Sequence, residues 1–335
     1  MKFAGTFRGS MSLLVAAGLL AGLRAQDRAL IPCLAATPDW EPIAVNAPVP
    51  ASGKEMMAVF HLGPDEKINT LTSRWVVIDI GDVAPPGYEV SKGDLVLGGK
   101  ARDGRLFYRQ DGPLPVGSYR LEVFADGKPW RNVEFTVVDP KPPTFGSPAA
   151  LFPLERGRVW KYDFVQEFGE GMEVDLSGVK LDPDGRFRAA VTITLGEENA
   201  KGRHMTLQRD GVVISEEWWQ LDSGGLRVTE RRADGENYPL DPPQIMLPVP
   251  NAGTMRWTYK APDGSYEQTY RLWCVQSTAQ PASPVTLIVV TEQTQPPYKF
   301  VIERRFVPGT GLVKTVATTA VNGKFATRET MSLRK

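Results

Sequence analysis

The stretch "SYRLEVFADGKPWRNVEFTVVD" (118–139) decides the fold class. Tyr119, Leu121 and Val123 alternate on one face, Asp126-Gly127 falls at the turn, and Val133, Phe135 and Val137 alternate on the way back. Period-two alternation on both sides of a glycine-containing turn predicts a β-hairpin. The same pattern recurs outward in both directions. "MAVFHLG" sets Ala58, Phe60 and Leu62 against Val59 and His61, and "SRWVVIDIGD" is a β-branched run stopped by Gly81. Residues 40–139 therefore read as short strands of the size of an Ig-like β-sandwich. "GPDEKINTLT" (63–72) is the one stretch that reads as a short helix.

Next comes "DPKPPTFGSPAALFP", whose Pro140, Pro142, Pro143, Pro148 and Pro153 exclude it from a central strand. It predicts a proline-stiffened linker over 140–150. From 151 to 335 strands resume. "RFRAAVTITLGE" aligns Phe187, Ala189, Val191, Ile193 and Leu195. Hairpins are predicted across Asp210-Gly211, across Asp263-Gly264, and within "YKFVIERRFVPGTGLVKTVAT", where Tyr298, Phe300, Ile302 and Phe306 share a face. "VTLIVVTEQ" is too apolar for an exposed strand. Asp-Gly occurs seven times, at positions suited to tight turns. With no helix to cover it, an antiparallel sheet of this size must roll up, pack on a second sheet or hold something else. The chain is thus predicted to be all-β: an Ig-like sandwich followed by a curved antiparallel sheet, a half-barrel or open barrel.

The N-terminus reads as a targeting segment. Lys2 and Arg8 precede "MSLLVAAGLLAGL" (11–23), an apolar run of signal-peptide length, and Leu23 and Ala25 place cleavage after residue 25. Residues 26–39 are expected to form a flexible lead. The chain has 39 basic and 39 acidic residues, and loss of Lys2, Arg8 and Arg24 leaves a small acidic excess. That balance argues against nucleic acid as a partner. No second long apolar run follows, so the mature chain is expected to lack a transmembrane segment and to be soluble, in the periplasm or outside the cell. In an oxidising compartment Cys33 and Cys274 are candidates for a disulfide, with burial of both as thiols the alternative.

"LFPLERGRVWKYDF" (151–164), "MRWTY" (255–259) and "FVPGTGLVKT" (306–315) form an ordered set. Over about 151–333 this set resembles the TapB-like type of exported bacterial domain, which often begins "FPL..G..W.Y" and ends "..G.GLVK". The resemblance implies a curved sheet with an apolar concave face, similar in outline to the half-barrel lipoprotein carriers. It implies no catalytic residues. "LPVGSYRLEVFADGKPWRNVEFTV" resembles the Ig-like accessory modules of exported bacterial proteins.

Trp160, Tyr162 and Phe164 alternate, as do Trp257 and Tyr259. Such rows fit either the inward face of a sheet or the lining of an apolar groove. In "EEWWQ" (216–220) the adjacent Trp218 and Trp219 must point to opposite faces, which makes an outward tryptophan a candidate for stacking on a ligand or partner. "DPPQIMLPVP" (241–250) carries Ile245, Met246 and Leu247 between prolines and reads as a lid or a loop that plugs the core. Chemistry-bearing residues are sparse. The chain has two histidines, His61 and His204, no metal-ligand spacing, no sign of a cofactor, and no nucleophile, phosphate-loop or metalloprotease motif. Glu216 and Glu217 are strand neighbours that face opposite ways, so they cannot together serve as a glycosidase pair. The expected function is a non-catalytic binding or scaffold protein of the cell envelope, with an envelope protein or an apolar small molecule as partner. Carriage of an apolar ligand or lipid is the alternative, followed by hydrolysis of an envelope polymer.

Overall fold

The computed structural model describes residues 30–99, 101–139, 147–170, 180–233, 235–250, 254–261, 264, 266–275 and 285–334. The targeting segment, Pro140, Pro142 and Pro143 lie outside them. The first module comprises β1 (Leu30–Cys33), β2 (Ala35–Ala36), β3 (Pro42–Ile43), β4 (Val49–Pro50), β5 (Glu55–His61), β6 (Thr70–Asp79), β7 (Glu89–Val96), β8 (Asp103–Arg109), β9 (Gly117–Ala125) and β10 (Lys128–Val138). A five-stranded sheet, β4-β10-β9-β6-β7, and a three-stranded sheet, β1-β5-β8, share one apolar core, and β2 pairs with β3. Trp75 anchors that core, 5.2 Å from the Phe135 ring and 6.3 Å from Tyr108. The hairpin of β9 and β10 turns on Asp126 and Gly127, both at positive φ, as a tight hairpin turn requires. The Tyr119 hydroxyl donates to the Pro115 carbonyl, 2.8 Å away and four residues upstream. Gly117, at φ +141, leaves no room for a side chain: a Cβ there would lie 2.1 Å from the Asp79 carbonyl oxygen.

Three expectations need correction. Residues 30–36 are not a flexible lead: β1 pairs with β5 from Leu30↔Phe60 to Cys33↔Met57, and Leu30 and Cys33 are buried. Residues 63–72 form no helix; a turn leads directly into β6, which continues the sheet. Asp103-Gly104 is not a turn but lies in β8, where Gly104 accommodates the Phe60 ring; a Cβ would sit 2.8 Å from it.

A one-turn helix, α1 (Pro148–Leu151), leads into the second module. Its strands are β11 (Val159–Phe168), β12 (Phe187–Asn199), β13 (Gly202–Arg209), β14 (Val212–Asp222), β15 (Gly225–Ala233), β16 (Glu236–Pro248), β17 (Thr254–Lys260), β18 (Glu267–Val275), β19 (Thr286–Gln295), β20 (Tyr298–Val307), β21 (Gly311–Val321) and β22 (Lys324–Leu333). They form one antiparallel sheet in the order β16-β15-β14-β13-β12-β11-β22-β21-β20-β19-β18-β17. Two six-stranded meanders are joined where the first strand, β11, pairs with the last, β22, from Tyr162↔Leu333 to Phe168↔Thr327. The sheet is nearly closed, with β16 and β17 as its two edges. Ile245, Met246 and Leu247 are therefore not a lid or loop. They lie in the edge strand β16, whose pairing with β15 is interrupted over Leu240–Pro243 so that Pro242 and Pro243 face no ladder, and Leu247 is fully buried.

The two modules share apolar contacts. β5 is buried on both faces: Met56, Ala58 and Phe60 face one way and Met57 and Val59 the other. Trp273, Ile288, Val290 and Val301, from the outer wall of the large sheet, join the first module's core cluster. This explains why "VTLIVVTEQ" is apolar throughout. In β19, Leu287 and Val289 face the lumen while Ile288 and Val290 face the first module, and all four are buried. Arg328 of β22 links the modules electrostatically, donating to Asp39 Oδ2 at 2.7 Å and lying within 3.9 Å of both Glu41 and Glu167. Removing a largely buried charge leaves its partners uncompensated. Arg328→Ala should therefore lower unfolding stability by about 3–5 kcal/mol in urea titration. A change below about 0.5 kcal/mol, the scatter typical of a surface site, would show that the link contributes nothing.

Candidate functional site

The lumen of the large sheet has two chemically different halves. In one, the aromatic row of β11 is packed by the chain itself. Trp160 and Tyr162 are buried, as is Phe164. The Trp160 indole N–H donates to the Thr310 carbonyl at 2.8 Å, and the Tyr162 hydroxyl to the Leu312 carbonyl, also at 2.8 Å. Gly311, at φ +98, lies against the Trp160 ring, where a Cβ would come within 3.1 Å. Phe152 packs on Trp160, Trp219 and Phe306 with ring centroids 5.6, 5.6 and 6.0 Å apart. The first and last segments of the ordered sequence set, "LFPLERGRVWKYDF" and "FVPGTGLVKT", are thus in direct contact, and together they fill this end of the lumen.

The other half is polar. Register places Gln268 and Tyr270 of β18, Thr291 and Gln293 of β19, and Arg304 of β20 on the same face as the lumenal Leu272 and Val289. On the opposite wall, Glu217 of β14 and Arg231 of β15 pair across their ladder, next to the lumenal Trp219 and Val228. Arg231 Nε donates to Glu217 Oε1 at 2.8 Å, and the Trp219 indole donates to Glu217 Oε2 at 2.7 Å. Arg231 also donates to the Gln244 side-chain carbonyl. Gln244 of β16 then crosses the gap between the sheet's edges, donating to the Tyr270 hydroxyl and, at 2.6 Å, to Gln268 Oε1. Tyr270 donates to Gln268, which donates to Gln293 Oε1 at 2.8 Å. Trp257 of β17 stacks on Tyr270, with centroids 5.0 Å apart and planes at 11°, and its indole reaches the Ile245 carbonyl at 3.3 Å. Tyr259 is buried beside Tyr266. Side chains, rather than a backbone ladder, thus bring β16 and β17 together.

The charges in this half are shifted by their setting. Burial pushes the Arg304 guanidinium below the usual arginine range. Burial also pulls on Arg231, but Glu217 more than offsets it, and Arg231 stays above that range. Burial raises Tyr270, and it raises the Glu329 carboxyl against the opposing pull of Arg209. Glu329 and Gln166 face each other across β11 and β22, and Arg209 lies over the Phe164 and Phe187 rings. Arg304 is half-buried and Glu329 is exposed. The polar half therefore presents charged side chains that water reaches.

Trp218 and Trp219 do point to opposite faces. Trp219 is in the apolar lumen, and the half-buried Trp218 is on the outer wall, 4.9 Å from the His204 ring and 5.5 Å from the Lys201 ammonium. Glu216, also outward, pairs with His204 Nε2 at 3.0 Å and with Arg232 at 3.6 Å. His61 is not free in solvent: its Nδ1 is 2.8 Å from Asp103 Oδ1, a hydrogen bond that raises its pKa. Two surface clefts lie outside the lumen. One, of about 400 Å³, lies between the modules and is lined by Arg105, Arg109, Arg256, Arg271 and their carboxylate neighbours. The other, of about 410 Å³, is on the first module and is lined by Tyr88, Tyr108 and Tyr119. Among the described residues no cluster of metal-ligating side chains is present, and no helix is long and apolar enough to cross a membrane. Lys161, Thr192 and Gln208 occupy one outward row of the sheet, unlike the apolar belt of a membrane barrel.

Fold and site define a two-module all-β protein whose second module is a nearly closed, half-polar sheet. No family model matches the chain, and no curated protein matches it. Among solved structures, the chain is similar to a protein from Bacteroides fragilis NCTC 9343, inferred to be exported and described as having a YmcC-like fold. That likeness is 11% in sequence identity, covers 55% of this chain and 99% of the other, and has a TM-score of 0.23. At that score it carries no argument about fold or activity.

Cys33 and Cys274 do not pair in the structure. Each is a thiol buried in a different core cluster, Cys33 in the first module and Cys274 in the lumen. Burial pushes Cys33 up to about 12 and Cys274 up to about 11. A raised pKa keeps the thiol protonated and unreactive at neutral pH. Thiol titration at pH 8 should show native-state labelling at least about a hundredfold slower than in urea, where both thiols should react. Fewer than two thiols in urea without reductant would show that the disulfide forms after all.

Proposed function

We propose that this chain is an exported, non-catalytic binding protein of the bacterial cell envelope, with its ligand held in the polar half of the lumen. Of the binding and scaffold readings, the water-reachable charged side chains Arg304 and Glu329 on the inner face of the sheet favour binding, because a scaffold would fill that face with apolar side chains. The N-terminal targeting segment supports export, and the resemblance of 151–333 to the TapB-like exported domains fits the same setting. The first module, joined to the outer wall through Trp273, Ile288, Val290 and Arg328, is the docking element of this reading. Carriage of a lipid or other apolar ligand ranks second, because the apolar half is occupied by Phe152, Trp160, Trp219 and Phe306.

The test uses residues 26–335 produced with export, compared by native and denaturing mass spectrometry. The binding reading predicts a discrete small-molecule mass present in the native spectrum and lost on denaturation. Identical native and denatured masses, together with no thermal shift across a panel of polar and apolar metabolites, would leave only a scaffold.

A further inference from the structure

We propose that the polar half of the lumen binds a small oxyanion-bearing molecule, a carboxylate or a phosphate ester, with Arg304 as its principal partner. This rests on the binding reading above and names the ligand class for that site.

The charges of the polar half do not balance. The polar half brings three arginines, Arg209, Arg231 and Arg304, against two carboxylates, Glu217 and Glu329. Glu217 is already engaged by Arg231 and by the Trp219 indole. Arg304 carries five N–H donors in a planar fork. Among the described residues its one hydrogen bond is from Nη1 to the Thr291 hydroxyl, at 3.0 Å, and no carboxylate pairs with it. A half-buried cation whose one nearby carboxylate, Glu217, is already engaged by Arg231 and Trp219 is incompletely compensated, and fold stability alone gives little reason to keep one. A carboxylate or phosphate accepts two parallel hydrogen bonds from such a fork and supplies the missing charge.

The surroundings suit the same ligand. Tyr270, Glu217 and Arg231 all lie near enough to influence the ionisation of Arg304, so donors from both walls converge there beside one carboxylate that Arg231 already engages. The Gln244–Tyr270–Gln268 network fixes the tyrosine in place. Arg304 stands between Ile302 and the lumenal Phe306 in one inward row, which places apolar surface beside the anion. The inter-module cleft is also rich in arginine, but there Arg109 pairs with Glu55 and Arg271 with Glu292, and the cleft lies open to bulk solvent.

Trp257, stacked on Tyr270, supplies the readout. Its fluorescence is titrated in the full mature chain with inorganic phosphate and with succinate, at constant ionic strength, with glucose as the neutral control. A saturable response to at least one anion and none to glucose is expected. Arg304→Gln should weaken that response about tenfold to a hundredfold, and Arg304→Lys, which keeps charge but not the fork, about tenfold. Arg156→Gln, which alters an exposed surface pair, should leave it unchanged. A wild-type measurement makes the test independent of variant folding: phosphate or succinate should protect Arg304 from phenylglyoxal, as read by peptide mass. No saturable response to either anion, an undiminished response in Arg304→Gln, or no protection of Arg304 would overturn the assignment. If a neutral molecule is then recovered from the native protein, the binding reading survives and the anion assignment alone fails.

Discussion

The second module depends on how a twelve-stranded sheet ends. Its first and last strands, β11 and β22, pair with each other, so the free edges fall in the middle of the sequence, at β16 and β17. An exposed edge invites pairing with another chain. Here the edges are held together by side chains: Gln244 to Tyr270 and Gln268, and the Trp257 indole to the Ile245 carbonyl. Cis Asp241-Pro242 and the neighbouring Pro243 sit in β16, where its pairing with β15 is interrupted. Because the closure is made by polar side chains on the inner face, it also makes that part of the lumen polar.

The distribution of the interior follows from this. Away from the seam, Phe152 just after α1 and aromatic residues from β11, β14 and β20 pack as in any core, and the carbonyls of Thr310 and Leu312 cap Trp160 and Tyr162. Near the seam, amides, a tyrosine and arginines take over. The outer wall is divided as well. Where the first module covers it, Ile288, Val290, Val301 and Trp273 are apolar; elsewhere it carries charge pairs such as Arg334 with Asp163.

Local pairing was legible from sequence wherever the signal was local. Asp126-Gly127 and Asp210-Gly211 sit at positive φ in the hairpins their flanking alternation predicted, and the all-β class followed. The opposite orientation of Trp218 and Trp219 followed from strand geometry alone. Contacts remote in sequence were not legible. Nothing within 30–36 announces that β5 will pair with it, and nothing in "GPDEKINTLT" reveals that a sheet will recruit its end. The prolines of 241–250 signalled exclusion from a sheet interior, and an edge strand meets that requirement as well as a loop does. The polar site was hidden for a related reason. In "VIERRFV" the alternation that aligns Phe300, Ile302 and Phe306 also puts Arg304 in their row, but a single arginine in an apolar row does not by itself reveal a site. Only closure of the sheet turns that row inward, while Arg305 pairs with Glu303 on the other face.

The seam is tested most directly by a double-mutant cycle across it, with Gln244→Ala, Tyr270→Phe and the combined variant compared by urea unfolding. Closure by these side chains predicts a coupling energy of about 1 kcal/mol or more between two residues that no backbone ladder connects. Additive effects, within about 0.3 kcal/mol, would contradict it and would mean that the edges stand apart in solution.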